Sequence, residues 1–162
     1  RRESVAEHSW RIALMAFWMK DEFPDVDIDK VIRMCLIHDL GECFIGDIPT
    51  FAKTDADEAR EEAELMAWVR SLPEPVSGEM EALYREMIAL ETPEAKLYKA
   101  MDKLEAIVQH NESDIATWEP HEYQLNMTYA DDAVAWSPVL RELREAIRND
   151  TKAKIAAAEQ QA

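Results

Sequence analysis

Glycine is scarce in this chain, with three among 162 residues, and cysteine is scarcer, with two. So few glycines leave little material for tight hairpin turns, and together with 48% hydrophobic and 32% charged residues they favour helices. Cys35 and Cys43 form neither a CxxC pair nor a disulfide framework. Basic residues are also in deficit, 18 against 34 acidic, for a net charge of −16. A surface this acidic speaks against a nucleic-acid binder and against docking on anionic membranes, because both need a basic face. Neither a signal-like start nor a long uncharged apolar run is present, which sets the expectation of a cytoplasmic protein with reduced thiols.

The helical segments can be read in order. Residues 3–22 make a first helix, with Ser4 as N-cap and Val5, His8, Ile12, Met15 and Met19 on one face. A second helix at 29–40 is capped by Asp27 or Asp29 and is apolar nearly all round, which marks it as central. Residues 41–54 read as a functional loop with room for one short turn of helix. Helices follow at 55–71 and 77–91. Thr92-Pro93-Glu94 starts another that runs to 113, since proline at the first turn gives up an N–H that has no partner there anyway. Residues 114–136 are less regular, with helix expected within 123–133. Ser137-Pro138 opens a last helix expected to fray after Lys154. The expectation is one all-α domain over 1–162, a bundle of six to seven helices. It has a core region at 5–110, C-terminal helices at 115–155 and a frayed tail at 156–162.

The stretch with most chemistry is Cys35-Leu36-Ile37-His38-Asp39-Leu40-Gly41-Glu42, continuing to Gly46-Asp47-Ile48-Pro49-Thr50. Imidazole and carboxylates crowded where an apolar helix ends are the groups that hold a divalent metal and move protons. His8 and His38 each sit on an apolar helix face. A single such histidine is usually a satisfied core residue, but two on neighbouring buried helices, one beside Asp39, favour a metal site over packing. Glu42 and Asp47 read either as solvated loop groups or as acid–base candidates. By helical periodicity Asp102 falls on the side of Tyr98 and Glu105, away from the Leu97, Met101, Leu104 stripe. It therefore reads as a surface aspartate, paired with Lys99 or with arginines elsewhere. His110 and His121 read as surface or packing residues, and the five tryptophans as core or helix-contact residues.

Glu3-Ser4-Val5-Ala6-Glu7-His8-Ser9, His38-Asp39-Leu40-Gly41-Glu42, Gly46-Asp47-Ile48-Pro49-Thr50 and Met101-Asp102-Lys103-Leu104-Glu105 together resemble the HD-domain metal-dependent phosphohydrolases. The likeness covers residues 3 to 110 and is narrowest to the branch of bacterial 5′-deoxynucleotidase and its eukaryotic HD-domain-containing relatives. The resemblance implies metal ligands at His8, His38, Asp39 and Asp102, a catalytic glutamate at Glu42 and a loop carboxylate near the sugar hydroxyls at Asp47. It implies an all-α bundle, often a homodimer. The expected cofactor is one divalent ion (cobalt, manganese, iron or zinc, with magnesium admissible). Family members hold substrate with an arginine-containing segment upstream of the first motif. This sequence opens at Arg1-Arg2, so Arg1, Arg2 and Arg11 are the candidates for part of that work. The two-metal phosphodiesterases of the superfamily need extra histidines between the HD pair and the last aspartate, and none occurs between Asp39 and Asp102.

The implied activity is hydrolysis of (deoxy)nucleoside 5′-monophosphates to nucleoside and phosphate. The alternatives are another HD-superfamily phosphohydrolase, such as a guanosine-polyphosphate hydrolase, and a nucleotide-binding HD domain without turnover. A purely structural helical partner is the blandest reading.

Overall fold

The structure, a computed structural model, describes residues 4–46 and 54–160. All regular structure there is helical, and no strand occurs among the described residues. Seven helices have seven residues or more: α1 (Val5–Trp18), α2 (Ile28–Ile37), α4 (Asp55–Ser71), α5 (Val76–Ala89), α6 (Pro93–Glu112), α7 (Glu122–Thr128) and α9 (Pro138–Glu159). Two four-residue helices, α3 (Glu42–Ile45) and α8 (Asp131–Val134), also occur among the described residues. The expected first helix divides in two, because after Trp18 the chain tightens into a 3₁₀ turn at Lys20–Glu22.

Local chemistry explains where the site-bearing helices start. Ser4 caps α1 reciprocally: its hydroxyl accepts the Glu7 N–H at 3.3 Å, and the Glu7 carboxylate accepts the Ser4 N–H at 3.0 Å. Asp27, not Asp29, caps α2 by accepting the Lys30 N–H at 3.0 Å. Thr92 caps α6 at the Ala95 N–H, and Pro93 occupies its first turn.

Helix α6 is the hub, packing against α1, α2, α5, α8 and α9. Its Leu97, Ala100, Met101 and Leu104 are fully buried, with Ile12 of α1 and Val31 and Met34 of α2 beside them in the core. A fully buried Leu, Ile or Met contributes roughly 1.5–3 kcal/mol through the hydrophobic effect, so this layer is what holds α1, α2 and α6 in register.

Two expectations need correction. The last helix does not fray after Lys154 but continues to Glu159, because an alanine-rich end is a good helix former even when largely exposed. Among the tryptophans Trp118 is buried and Trp68 and Trp136 pack on Phe44 and Phe23, as expected of core or contact residues, but Trp10 and Trp18 of α1 are 65% and 70% exposed. No helix among the described residues is long and apolar enough to cross a membrane.

Candidate metal centre

Where α2 ends, its terminal carbonyls need partners, and two side chains supply them. The Tyr84 hydroxyl of α5 donates to the Ile37 carbonyl at 2.5 Å. His38 donates from Nδ1 to the Cys35 carbonyl at 2.9 Å. The second bond fixes the ring of His38, so the lone pair of its other nitrogen, Nε2, is presented inward. Tyr98 of α6 stacks at a tilt against that ring, with centroids 5.9 Å apart.

Helix α1 brings His8 to the same place. The two imidazole centroids are 5.1 Å apart. His8 Nε2 lies 3.2 Å from Asp102 Oδ1 and 3.9 Å from Asp39 Oδ2. His38 Nε2 lies 2.9 Å from Asp39 Oδ2 and 3.7 Å from Asp102 Oδ1. One ligand atom from each of His8, His38 and Asp39 lies within 4.8 Å of the others, and Asp102 Oδ1 adjoins both rings. Although Asp39 is close, His38 Nε2 is buried and makes no hydrogen bond. A buried imidazole nitrogen without a hydrogen bond, with carboxylate oxygens at 2.9 and 3.7 Å, is an arrangement that a cation would satisfy. The donor set therefore fits a divalent ion.

Electrostatics agree with the geometry. Burial alone would depress the pKa of His8, but its hydrogen bonds to Asp102 and Glu105 outweigh burial and raise it to about 10. Burial would raise Asp102, yet the His8 hydrogen bond and the Lys99 charge hold it well below the ordinary carboxylate range. Burial pushes the Cys35 thiol up to about 12, with Asp102 adding to the rise.

Asp102 is not the surface residue that periodicity suggested. Its side chain is 17% exposed and faces α1 and α2, because α6 is covered on several sides and its polar face meets other helices. The expected pairing with Lys99 does form, Nζ to Asp102 Oδ2 at 2.7 Å. Glu42 opens α3 three residues beyond Asp39 and is half-buried. Arg1, Arg2 and Asp47 lie outside the described residues. Arg11 reaches α6: its Nε is 2.5 Å from Glu105 and its Nη1 2.8 Å from Glu112.

Sequence reasoning did not single out Glu105, which is fully buried and accepts a hydrogen bond from His8 Nδ1 at 2.5 Å. The available signal was its spacing, one turn from Asp102 on the same face of one helix. Lys99 and Tyr98 also line a cleft of roughly 280 Å³ with His38, Glu61, Tyr84 and Met87. His110 is a packing residue, bonded to Asn126 and stacked on Trp118, while His121 is exposed.

Comparison with known proteins gives a consistent picture. A family described as the HD domain matches residues 1–144. Among curated proteins, 5′-deoxynucleotidase HDDC2 of Bos taurus is 36% identical over 112 residues, covering 68% of this chain and 54% of that protein. Its Homo sapiens counterpart is 33% identical over 126 residues, covering 76% and 61%. The chain thus spans little more than half the length of the curated relatives it matches. Among solved structures, one described as a predicted metal-dependent phosphohydrolase from Magnetospirillum magnetotacticum MS-1 superposes with a TM-score of 0.77 at 32% identity, covering 95% of this chain and 80% of that one. PH0347 protein from Pyrococcus horikoshii OT3 follows with a TM-score of 0.74 at 26% identity, covering 93% and 85%.

Proposed function

Because the chain belongs to the HD-domain family, we propose that it is a metal-dependent phosphomonoesterase that hydrolyses (deoxy)nucleoside 5′-monophosphates. The observation that carries this reading is the convergence of His8, His38, Asp39 and Asp102 from α1, the end of α2 and α6, with a buried imidazole nitrogen left without a hydrogen bond. The names of the 5′-deoxynucleotidase relatives support the substrate class.

Those four residues would hold one divalent ion, with cobalt, manganese, iron or zinc preferred by two imidazoles and two carboxylates and magnesium admissible. When bound, the ion supplies Lewis-acid polarisation of the phosphoryl group and acidifies water. Glu42, at the first turn of α3, takes the proton from the attacking water. The water oxygen ends on phosphorus and the P–O5′ bond breaks. The 5′ oxygen then leaves as the nucleoside hydroxyl, carrying the proton that passed through Glu42. Lys99 sits on the outer oxygen of Asp102 at the rim of the cleft, where its ammonium offsets phosphate charge. Asp47 orients the sugar, and Arg1 and Arg2 contribute to phosphate binding; the resemblance to the family carries these three roles. It also carries the assembly we propose, a homodimer, while two cysteines without a disulfide framework support the cytoplasmic location we propose.

A phosphate-release assay across ribo- and deoxyribonucleoside monophosphates, guanosine polyphosphates and a cyclic dinucleotide, run with several metals, tests the reading. Release confined to the monophosphates is expected. Binding of nucleotide without release would identify a sensor instead.

A further inference from the structure

We propose that Glu105 is a positioning residue for the metal centre: its carboxylate fixes which nitrogen of His8 faces the cation and strengthens that ligand, while Arg11 lies against its other oxygen. This rests on the metal-centre reading above and adds a residue that neither periodicity nor family resemblance assigns.

A carboxylate with none of its surface exposed is costly unless it is paired. Glu105 has two partners, one on each oxygen. Its Oε2 accepts from His8 Nδ1 at 2.5 Å. Its Oε1 lies 2.5 Å from Arg11 Nε, a charge contact and not an aligned hydrogen bond. His8 and Arg11 are one turn apart on α1, and Asp102 and Glu105 are one turn apart on α6. The two helices therefore meet in two polar rungs, His8 with Asp102 and Arg11 with Glu105, crossed by the His8–Glu105 bond.

The chemical consequence lies in the tautomer. A neutral imidazole carries one N–H and one lone pair. With Nδ1–H committed to Glu105, the lone pair is on Nε2, the nitrogen that faces Asp102 and Asp39. An anionic acceptor also makes the ring a stronger donor to a cation than a neutral acceptor would. The other histidine shows the contrast, since His38 Nδ1 donates to the uncharged Cys35 carbonyl. Of the two imidazoles, His8 alone is tuned by a side chain, so it alone can be detuned without moving the backbone.

The test uses the full chain, stripped of metal and titrated with Co(II) against a chromophoric chelator, with the visible cobalt spectrum recorded at saturation. Glu105→Gln keeps the size and one acceptor but removes the charge; Glu105→Ala removes both. The expected result is weaker Co(II) binding by about 10-fold in Glu105→Gln and up to about 100-fold in Glu105→Ala, with shifted cobalt bands and unchanged helical circular dichroism. If Glu105→Ala does not fold, Glu105→Gln decides. Wild-type affinity together with a wild-type cobalt spectrum in Glu105→Gln overturns the proposal. His8→Ala separates the two levels. Should it lose cobalt while Glu105→Gln keeps wild-type binding, the metal centre stands and the role of Glu105 falls. Should the wild-type chain take up no cobalt, both fall.

Discussion

His38 Nε2 and Asp39 Oδ2 lie 2.9 Å apart, on adjacent residues at the end of α2, yet share no hydrogen bond. An imidazole nitrogen and a carboxylate oxygen so placed are a donor pair that could hold one cation. His38→Ala and Asp39→Asn are each expected to reduce bound metal after purification to a small fraction of the wild-type content, with helicity retained. Elemental analysis beside circular dichroism checks this, and full metal content in either variant would contradict the ligand assignment.

Glu42 is expected to separate chemistry from binding. Glu42→Gln should lower kcat by roughly 10²–10⁴-fold, the usual contribution of a positioned general base, while metal content stays at the wild-type level. Steady-state phosphate release with parallel metal analysis reads both quantities. A variant of undiminished kcat removes Glu42 from the mechanism.

The metal-free protein should lose stability as pH rises. His8 is raised from 6.5 to about 10 in the folded chain by its carboxylate neighbours. Above 6.5 the unfolded chain has released this proton and the folded one has not, so folding binds a proton whose free energy weakens with pH. The stabilisation is complete below 6.5 and is lost as pH climbs through 10. Bound metal takes the proton's place, so the loaded protein should show a shallower decline over the same window. Thermal melts of both forms between pH 6 and pH 10 measure it; parallel curves would show that His8 does not carry the difference.

Tyr84 is expected to matter for stability and for the geometry of the histidine turn. Its hydroxyl satisfies the Ile37 carbonyl at a buried position, so Tyr84→Phe should cost about 0.5–1.5 kcal/mol, the net worth of one such bond. Urea unfolding with an unchanged m-value measures that cost.

Lys99 can be probed by exchange of charge for shape. Lys99→Met removes the ammonium beside Asp102 and should raise KM for nucleotide several-fold, and Lys99→Arg should recover part of it. Equal KM values in all three proteins would remove Lys99 from substrate binding.

Much of this architecture was legible because its signals are local. Ser4, Asp27, Thr92 and Pro93 mark helix starts by chemistry confined to one turn, and His38-Asp39 announces itself by adjacency. Asp102 was legible only through family resemblance. On a helix with one buried face, periodicity separates core from surface, but α6 is covered by five neighbours and its polar side is interior too. Glu105 escaped for the same reason, since a lone glutamate beside a buried stripe reads as solvated until an arginine and a histidine from another helix are seen against it. Arg11 was visible in sequence only as an arginine near the first motif, and its contacts with Glu105 and Glu112 emerge only from the packing of α1 on α6.

The central claim is that four side chains from three separated stretches of the chain close on one ion. The direct measurement is a crystal structure grown with Mn(II) or Co(II) and recorded at the metal's absorption edge. One anomalous peak per chain is expected within bonding distance of His8 Nε2, His38 Nε2, Asp39 and Asp102. A saturated crystal with no peak there, or with its ion held by other residues, would contradict it.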